Sequence, residues 1–126
     1  MKQKYTILYV DDEPINLHLF NLHLKKQYNI FTALSGKVGL EILKNNIEIN
    51  VVVSDMKMPE MNGIEFIKIA KSNFPNLYYF ILTGFEVTDE IKTAIEENLI
   101  VKYFRKPFNI NDIKNTINKS LENLED

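Results

Sequence analysis

Residues 7–14 read ILYVDDEP. Four mostly apolar residues run directly into three acids and a proline. Neighbouring carboxylates repel, and each gains if water, a cation or a helix N-terminus compensates it. The apolar run predicts a buried strand, and Pro14 suits the first turn of a following helix. Asp11, Asp12 and Glu13 therefore crowd the point where a strand hands over to a helix. What compensates them must come from elsewhere in the chain.

Working outward, short apolar runs alternate with longer segments of helical period. Strands are predicted over Tyr5–Val10, Asn29–Leu34, Val51–Ser54, Leu77–Leu82 and Val101–Phe104. The β-branched run at Val51 suits a strand buried on both faces. Helices are predicted over Pro14–Lys26, Lys37–Asn46, Gly63–Asn73, Asp89–Asn98 and Asn111–Leu124. The third places Ile64, Phe66 and Ile67 toward the core. The last repeats Ile113, Ile117, Leu121 and Leu124 at a helical spacing. Five βα units with no repeat or linker imply an α/β fold, a single doubly wound five-stranded parallel sheet with helices on both faces.

In such sheets, sites form outside the carboxyl ends of the strands. Those ends deliver Asp11 and Asp12, then Asp55, then Thr83 and Gly84, then Lys106 and Pro107. Four strands bring three acids, a hydroxyl and an amine to one edge. Three convergent carboxylates call for a hard cation, and Mg²⁺ suits an oxygen set with few protein ligands. Mn²⁺ is the other cation this set suits. A carboxylate flanked by a cation, a lysine and a threonine is built to accept a phosphoryl group.

With 126 residues the chain has the length of one ordinary domain, residues 1–126, and 45% hydrophobic residues furnish a core without staples. A net charge of -2 gives no reason to expect nucleic-acid or anionic-membrane binding. The absence of cysteine excludes disulfides, thiolate metal sites and cysteine catalysis. No apolar run approaches the roughly 20 residues of a membrane span, and no signal-peptide pattern opens the chain, so a cytoplasmic location is expected. Arg105 is the single arginine among many lysines, asparagines and isoleucines. Asparagines such as Asn45, Asn46 and Asn115 then read as surface filler.

ILYVDDEP, VVVSDMKMPEMNGIEF, ILTG and YFRKPF occur in that order. In these motifs the chain resembles, over essentially its whole length, the receiver domain of two-component response regulators, including the chemotaxis regulators. The resemblance implies the flavodoxin-like strand order 2-1-3-4-5. It also implies roles. Asp55 would be the phosphoacceptor. Asp12 would bind Mg²⁺ directly, Asp11 largely through water, and the backbone carbonyl of Lys57 would be a further ligand. Lys106 would pair with the phosphoryl group, Thr83 would hydrogen-bond it, and Tyr103 would turn inward when Thr83 moves. The donor would be a histidine kinase or phosphotransfer protein. Dimerisation or effector binding would use Asp89–Asn98, Val101–Phe104 and Asn111–Leu124. The Lys106–Pro107 peptide would be cis. Leu99 stands near where many receivers carry a glycine, and Asn98 is placed to take a left-handed conformation instead.

Plainer roles compete for the same residues. Asp12 or Glu13 could only cap the helix at Pro14. Asp55 could be a turn residue, and Tyr103 a half-buried strand aromatic. Met56, Met58 and Met61 read as packing. His18 and His23 are five apart, not the four that align two ligands on a helix. By the same resemblance, Lys57 and Phe85, two residues after Asp55 and Thr83, would flank the route of water to a phosphoryl group.

Among other functions, an Mg²⁺-dependent phosphohydrolase with an aspartate nucleophile is the alternative. That class needs an acid two residues after its nucleophile and a cap over its substrate. Glu13 follows Asp11 at that distance, but the next residue after Asp12 and Glu13 is Pro14, and no cap segment is present in the pattern. A flavodoxin-like nucleotide binder would want a Ser/Thr/Gly-rich phosphate loop where DDEPIN stands. The expectation is a signalling domain that catalyses only its own phosphorylation and dephosphorylation.

Overall fold

Five strands, β1 (Tyr5–Val10), β2 (Tyr28–Ala33), β3 (Val51–Asp55), β4 (Tyr78–Thr83) and β5 (Lys102–Arg105), alternate with five helices, α1 (Pro14–Leu24), α2 (Gly36–Asn45), α3 (Gly63–Asn73), α4 (Asp89–Glu96) and α5 (Ile110–Glu122). A computed structural model describes residues 4–84 and 87–122. Phe85 and Leu124, both singled out in the sequence, lie outside the described residues.

All pairings are parallel, in the order β2-β1-β3-β4-β5. Alternation along the strands sorts side chains to opposite faces. Ile7, Tyr9, Val51, Val53, Phe80 and Leu82 pack with residues of α1 and α5 in one core. Leu8, Val10, Val52, Tyr79 and Ile81 pack with residues of α2, α3 and α4 in the other. The central strand β3 is buried throughout, which explains its β-branched run.

The boundaries move by a residue or two from the sequence expectation. The ladder of β4 and β5 pairs Thr83 with Arg105, so both strands run one residue further than their apolar runs suggest. Val101, the predicted start of β5, is 45% exposed and lies just outside it. Helix α1 stops at Leu24, and α4 stops at Glu96. After α4, Asn98 takes a left-handed φ of 60°, as expected for a residue replacing a glycine there. The Lys71 ammonium donates to the Asn98 carbonyl and ties α3 to this turn.

Asparagines do more than fill the surface. Asn45 and Asn115 are exposed, but Asn45 donates to the Glu41 carbonyl at 3.0 Å and Asn46 to the Ile42 carbonyl at 2.8 Å. Asn50 accepts from the Thr6 N–H at 2.9 Å, and Asn118 accepts from the Tyr28 hydroxyl at 2.6 Å.

Candidate functional site

Every strand points its carboxyl end the same way, so one edge of the sheet collects the residues that follow the strands. Backbone bonds fix each of them there. The Asp11 N–H donates to the Ala33 carbonyl at 3.0 Å, Met56 N–H to Leu82 at 3.0 Å, and Lys106 N–H to Thr83 at 2.8 Å. Asp55 itself pairs with Leu82 in the ladder. Asp11, Asp55 and Thr83 are buried, Asp12 and Lys106 partly so, and Lys57 is exposed.

The loop from Met56 to Asn62 leaves this edge and returns as α3. Gly63 makes the return possible by close approach and not by unusual dihedrals. Its N–H donates to the Met56 carbonyl at 2.8 Å, and a Cβ there would run into the Asp55 carbonyl oxygen and come within 2.8 Å of Ile81 Cδ1. Glu60 bends the loop with φ of 67°, and the Met61 N–H closes onto the Pro59 carbonyl at 2.7 Å. Asn62 and Glu65 then cap α3 reciprocally, each side chain accepting from the other's N–H at 2.9 Å. This N-x-x-E pattern was visible in the sequence and is what ends the loop. Met58 is buried, and Met56 and Met61 pack against the core, as their packing role requires.

Around Asp55 opens a cleft of about 620 Å³, lined by Asp12, Glu13, Lys57, Pro59, Gly84 and Lys106, among others. The Lys106 ammonium lies 2.9 Å from Asp55 Oδ1 and 3.5 Å from Asp11 Oδ2. Asp11, Asp12 and Asp55 each offer a carboxylate oxygen, all within 4.8 Å of one another, an arrangement that could hold a metal ion. Burial raises the Asp55 carboxyl above its ordinary value; the Asp11 and Asp12 charges add to this, and Lys106 works against it. Lys106 is also raised: burial pulls it down, but its hydrogen bond to Asp55 and the charges of Asp55 and Asp11 prevail. The edge thus carries negative charge that its own lysine does not fully offset. The Lys106–Pro107 peptide is cis, as the resemblance implies.

The capping role does not account for the acids. Glu13 occupies the N-cap position of α1, yet its side chain makes no capping bond. Asp11 Oδ1 instead accepts from the Glu13 N–H at 3.0 Å. Asp11 Oδ2 accepts from the Tyr9 hydroxyl at 2.6 Å, a contact that sequence reasoning missed. Its signal was Tyr9 lying two residues before Asp11, on the same face of the strand. Gly84 would tolerate a side chain as far as the protein is concerned, since a Cβ would meet only Lys106 carbons at 3.6 Å and beyond. Tyr103 is half-buried on β5 against the core that includes α4 residues Ile91 and Ala94.

The family described as response regulator receiver domain matches residues 7–118. Sporulation initiation phosphotransferase F of Bacillus subtilis is 34% identical over 116 residues, covering 91% of this chain and 92% of its own. A probable cyclic di-GMP phosphodiesterase of Vibrio cholerae is 37% identical over 120 residues, covering 94% of this chain. The chain spans only 27% of that relative's length, and similarly small shares of several others it matches. Among solved structures, a response regulator receiver domain protein from Clostridium thermocellum superposes with a TM-score of 0.89 at 32% identity, covering 95% of this chain and 96% of that one.

Proposed function

The chain belongs to the response regulator receiver domain family, the phosphotransfer signalling switches of two-component systems, and on that premise we propose that Asp55 is its phosphoacceptor. The observation that carries this reading is the Lys106 ammonium 2.9 Å from Asp55 Oδ1, at the floor of a cleft shared with Asp12. An Asp55 oxygen attacks the phosphorus of a phosphohistidine. The P–N bond breaks, the imidazole leaves, and the phosphoryl group stays on Asp55 as an acyl phosphate.

Lys106 offers its charge to the oxygens of the transferring group, where a fixed donor acts without reorganisation. Thr83 donates its hydroxyl to the bound phosphoryl group. Asp12, Asp55 and the Lys57 carbonyl would hold Mg²⁺, or Mn²⁺, with Asp11 joining through water. When bound, the cation supplies positive charge against the developing charge of transfer. The raised carboxyl of Asp55 fits this need, because added positive charge at the edge favours the ionised nucleophile.

The domain, residues 1–126 in this reading, is a signalling domain. It acts on no substrate beyond its own Asp55, and the phosphodiesterase activity named for one relative belongs to that longer protein. Its donor is a histidine kinase or phosphotransfer protein. Among the described residues no helix is long and apolar enough to cross a membrane, and the domain works in the cytoplasm. Output passes from Thr83 through Tyr103 to the surface of α4, β5 and α5, where dimerisation or effector binding occurs.

Acetyl phosphate with Mg²⁺ tests the assignment by intact mass. The parent gains one phosphoryl unit and Asp55→Asn gains none. Equal labelling of both proteins, or labelling without a divalent cation, would sink it.

A further inference from the structure

Asp11 is fully buried, and donors of the chain hold both its oxygens. Oδ1 accepts from the Glu13 N–H at 3.0 Å. Oδ2 accepts from the Tyr9 hydroxyl at 2.6 Å and lies 3.5 Å from the Lys106 ammonium. The phenol has little freedom to turn away. Tyr9 is fully buried, and its ring stacks on Phe20 with centroids 4.1 Å apart and planes at 13°. Lys106 meanwhile stands nearer to Asp55, at 2.9 Å, than to Asp11.

We propose that Tyr9 is a positioning residue of the acidic edge, whose hydroxyl occupies Asp11 Oδ2, leaves Lys106 to Asp55, and lowers the affinity of the edge for a divalent cation. This rests on the reading of that edge as an Mg²⁺ site. A hydrogen bond to a carboxylate is strongest when the charge is otherwise uncompensated. A cation at the edge shares that charge, so the Tyr9–Asp11 bond is stronger before the cation arrives than after. Tyr9 therefore favours the metal-free state by the difference. An opposing effect is the order Tyr9 imposes on Asp11. It is the smaller one, because the Glu13 N–H and Lys106 still hold the carboxylate when the hydroxyl is gone.

The test is Tyr9→Phe, which keeps the stacked ring and deletes only the donor. Mg²⁺ alone is titrated into the metal-free protein by calorimetry, since the chain has no tryptophan to report binding. The Kd of the variant is expected to fall roughly three- to tenfold, a fraction of what a charged hydrogen bond contributes, while its metal-free melting temperature drops. A purely structural tyrosine would lower the melting temperature and leave Kd in place. A second measurement needs no variant: the Tyr9 hydroxyl proton of the parent, followed by NMR, moves upfield as Mg²⁺ saturates the protein. An unchanged or weaker Kd in Tyr9→Phe, or a proton that stays or moves downfield, overturns the inference and leaves the Mg²⁺ reading standing. A parent that binds no Mg²⁺ overturns both.

Discussion

Lys106 and Asp55 meet at 2.9 Å across the carboxyl edge of the sheet, the lysine reaching from the end of β5, past β4, to the end of β3. Three consecutive strands are thus locked into one constellation by their order and not by any sequence proximity. The pair also sits beside two further acids, which the lysine alone does not neutralise.

In the proposed transfer to Asp55, replacing Lys106 by alanine removes a preorganised cation from the transferring group. Phosphorylation of the variant by acetyl phosphate should slow by roughly a hundredfold, the scale for losing one such donor. Single-time-point intact mass across a concentration series measures it. A rate within twofold of the parent would remove Lys106 from the mechanism.

The raised carboxyl of Asp55 has a signed consequence for stability. A group whose folded value exceeds its unfolded value contributes stability below the unfolded value and loses it as pH rises through the folded one. The ordinary value for an unfolded aspartate is about 3.9. In metal-free buffer, parent and Asp55→Asn should therefore converge near that pH and diverge above it. By neutral pH the asparagine variant should melt above the parent, because it carries no buried charge beside Asp11 and Asp12. Lys106, also raised, acts at the other end of the scale: its contribution persists at neutral pH and disappears on the alkaline side. Thermal scans from pH 4 to 8 decide the matter, and a variant melting below the parent at neutral pH contradicts the sign.

Binding of Mg²⁺ to the native state alone adds roughly 1.4 kcal/mol at ten times Kd. The parent melting temperature should rise accordingly, and that of Asp12→Ala much less. A chelator should reverse the gain. A melting curve indifferent to high Mg²⁺ would tell against the acidic edge as a cation site.

Gly63→Ala should destabilise the fold although alanine favours helices. The added methyl meets the Asp55 carbonyl oxygen, Ile81 Cδ1 and Met56 Cα, and two of those atoms are backbone that cannot swing aside. Overpacking of this kind costs about 1–3 kcal/mol, more than the roughly 1 kcal/mol of helix propensity gained. Chemical denaturation measures the difference. A stabilised variant would mean that the α3 start yields easily.

Beryllofluoride, which mimics the phosphoryl group, should shift backbone resonances beyond the cleft in α4, β5 and α5, and less so in Thr83→Ala. Shifts gathered on α1 instead would replace the route through Tyr103 with docking at the first helix.

The sheet edge was legible because each strand ends where its ladder ends, and DDE, SD, TG and KP sit at those points in plain view. The two cores were legible for the same reason: alternation fixes the face. Asn98 and the cis Lys106–Pro107 bond came through family resemblance, since nothing local demands either. The Tyr9–Asp11 bond escaped because a tyrosine inside an apolar run looks like any other large side chain. Asn118 binding Tyr28 escaped for a different reason: ninety residues separate the partners, and no local pattern records that meeting. Where contacts are set by how α5 lies against β2, only the assembled fold can reveal them.

The order β2-β1-β3-β4-β5 leaves two strands with an unpaired side. An open strand invites another chain to extend the sheet, which is how soluble proteins begin to aggregate. Both outer strands discourage such visitors. On β2, Asn29 and Thr32 face solvent. Strand β5 is four residues long and begins and ends with exposed Lys102 and Arg105. Exchange of partners at any other surface is thereby kept apart from capture through the backbone of the sheet.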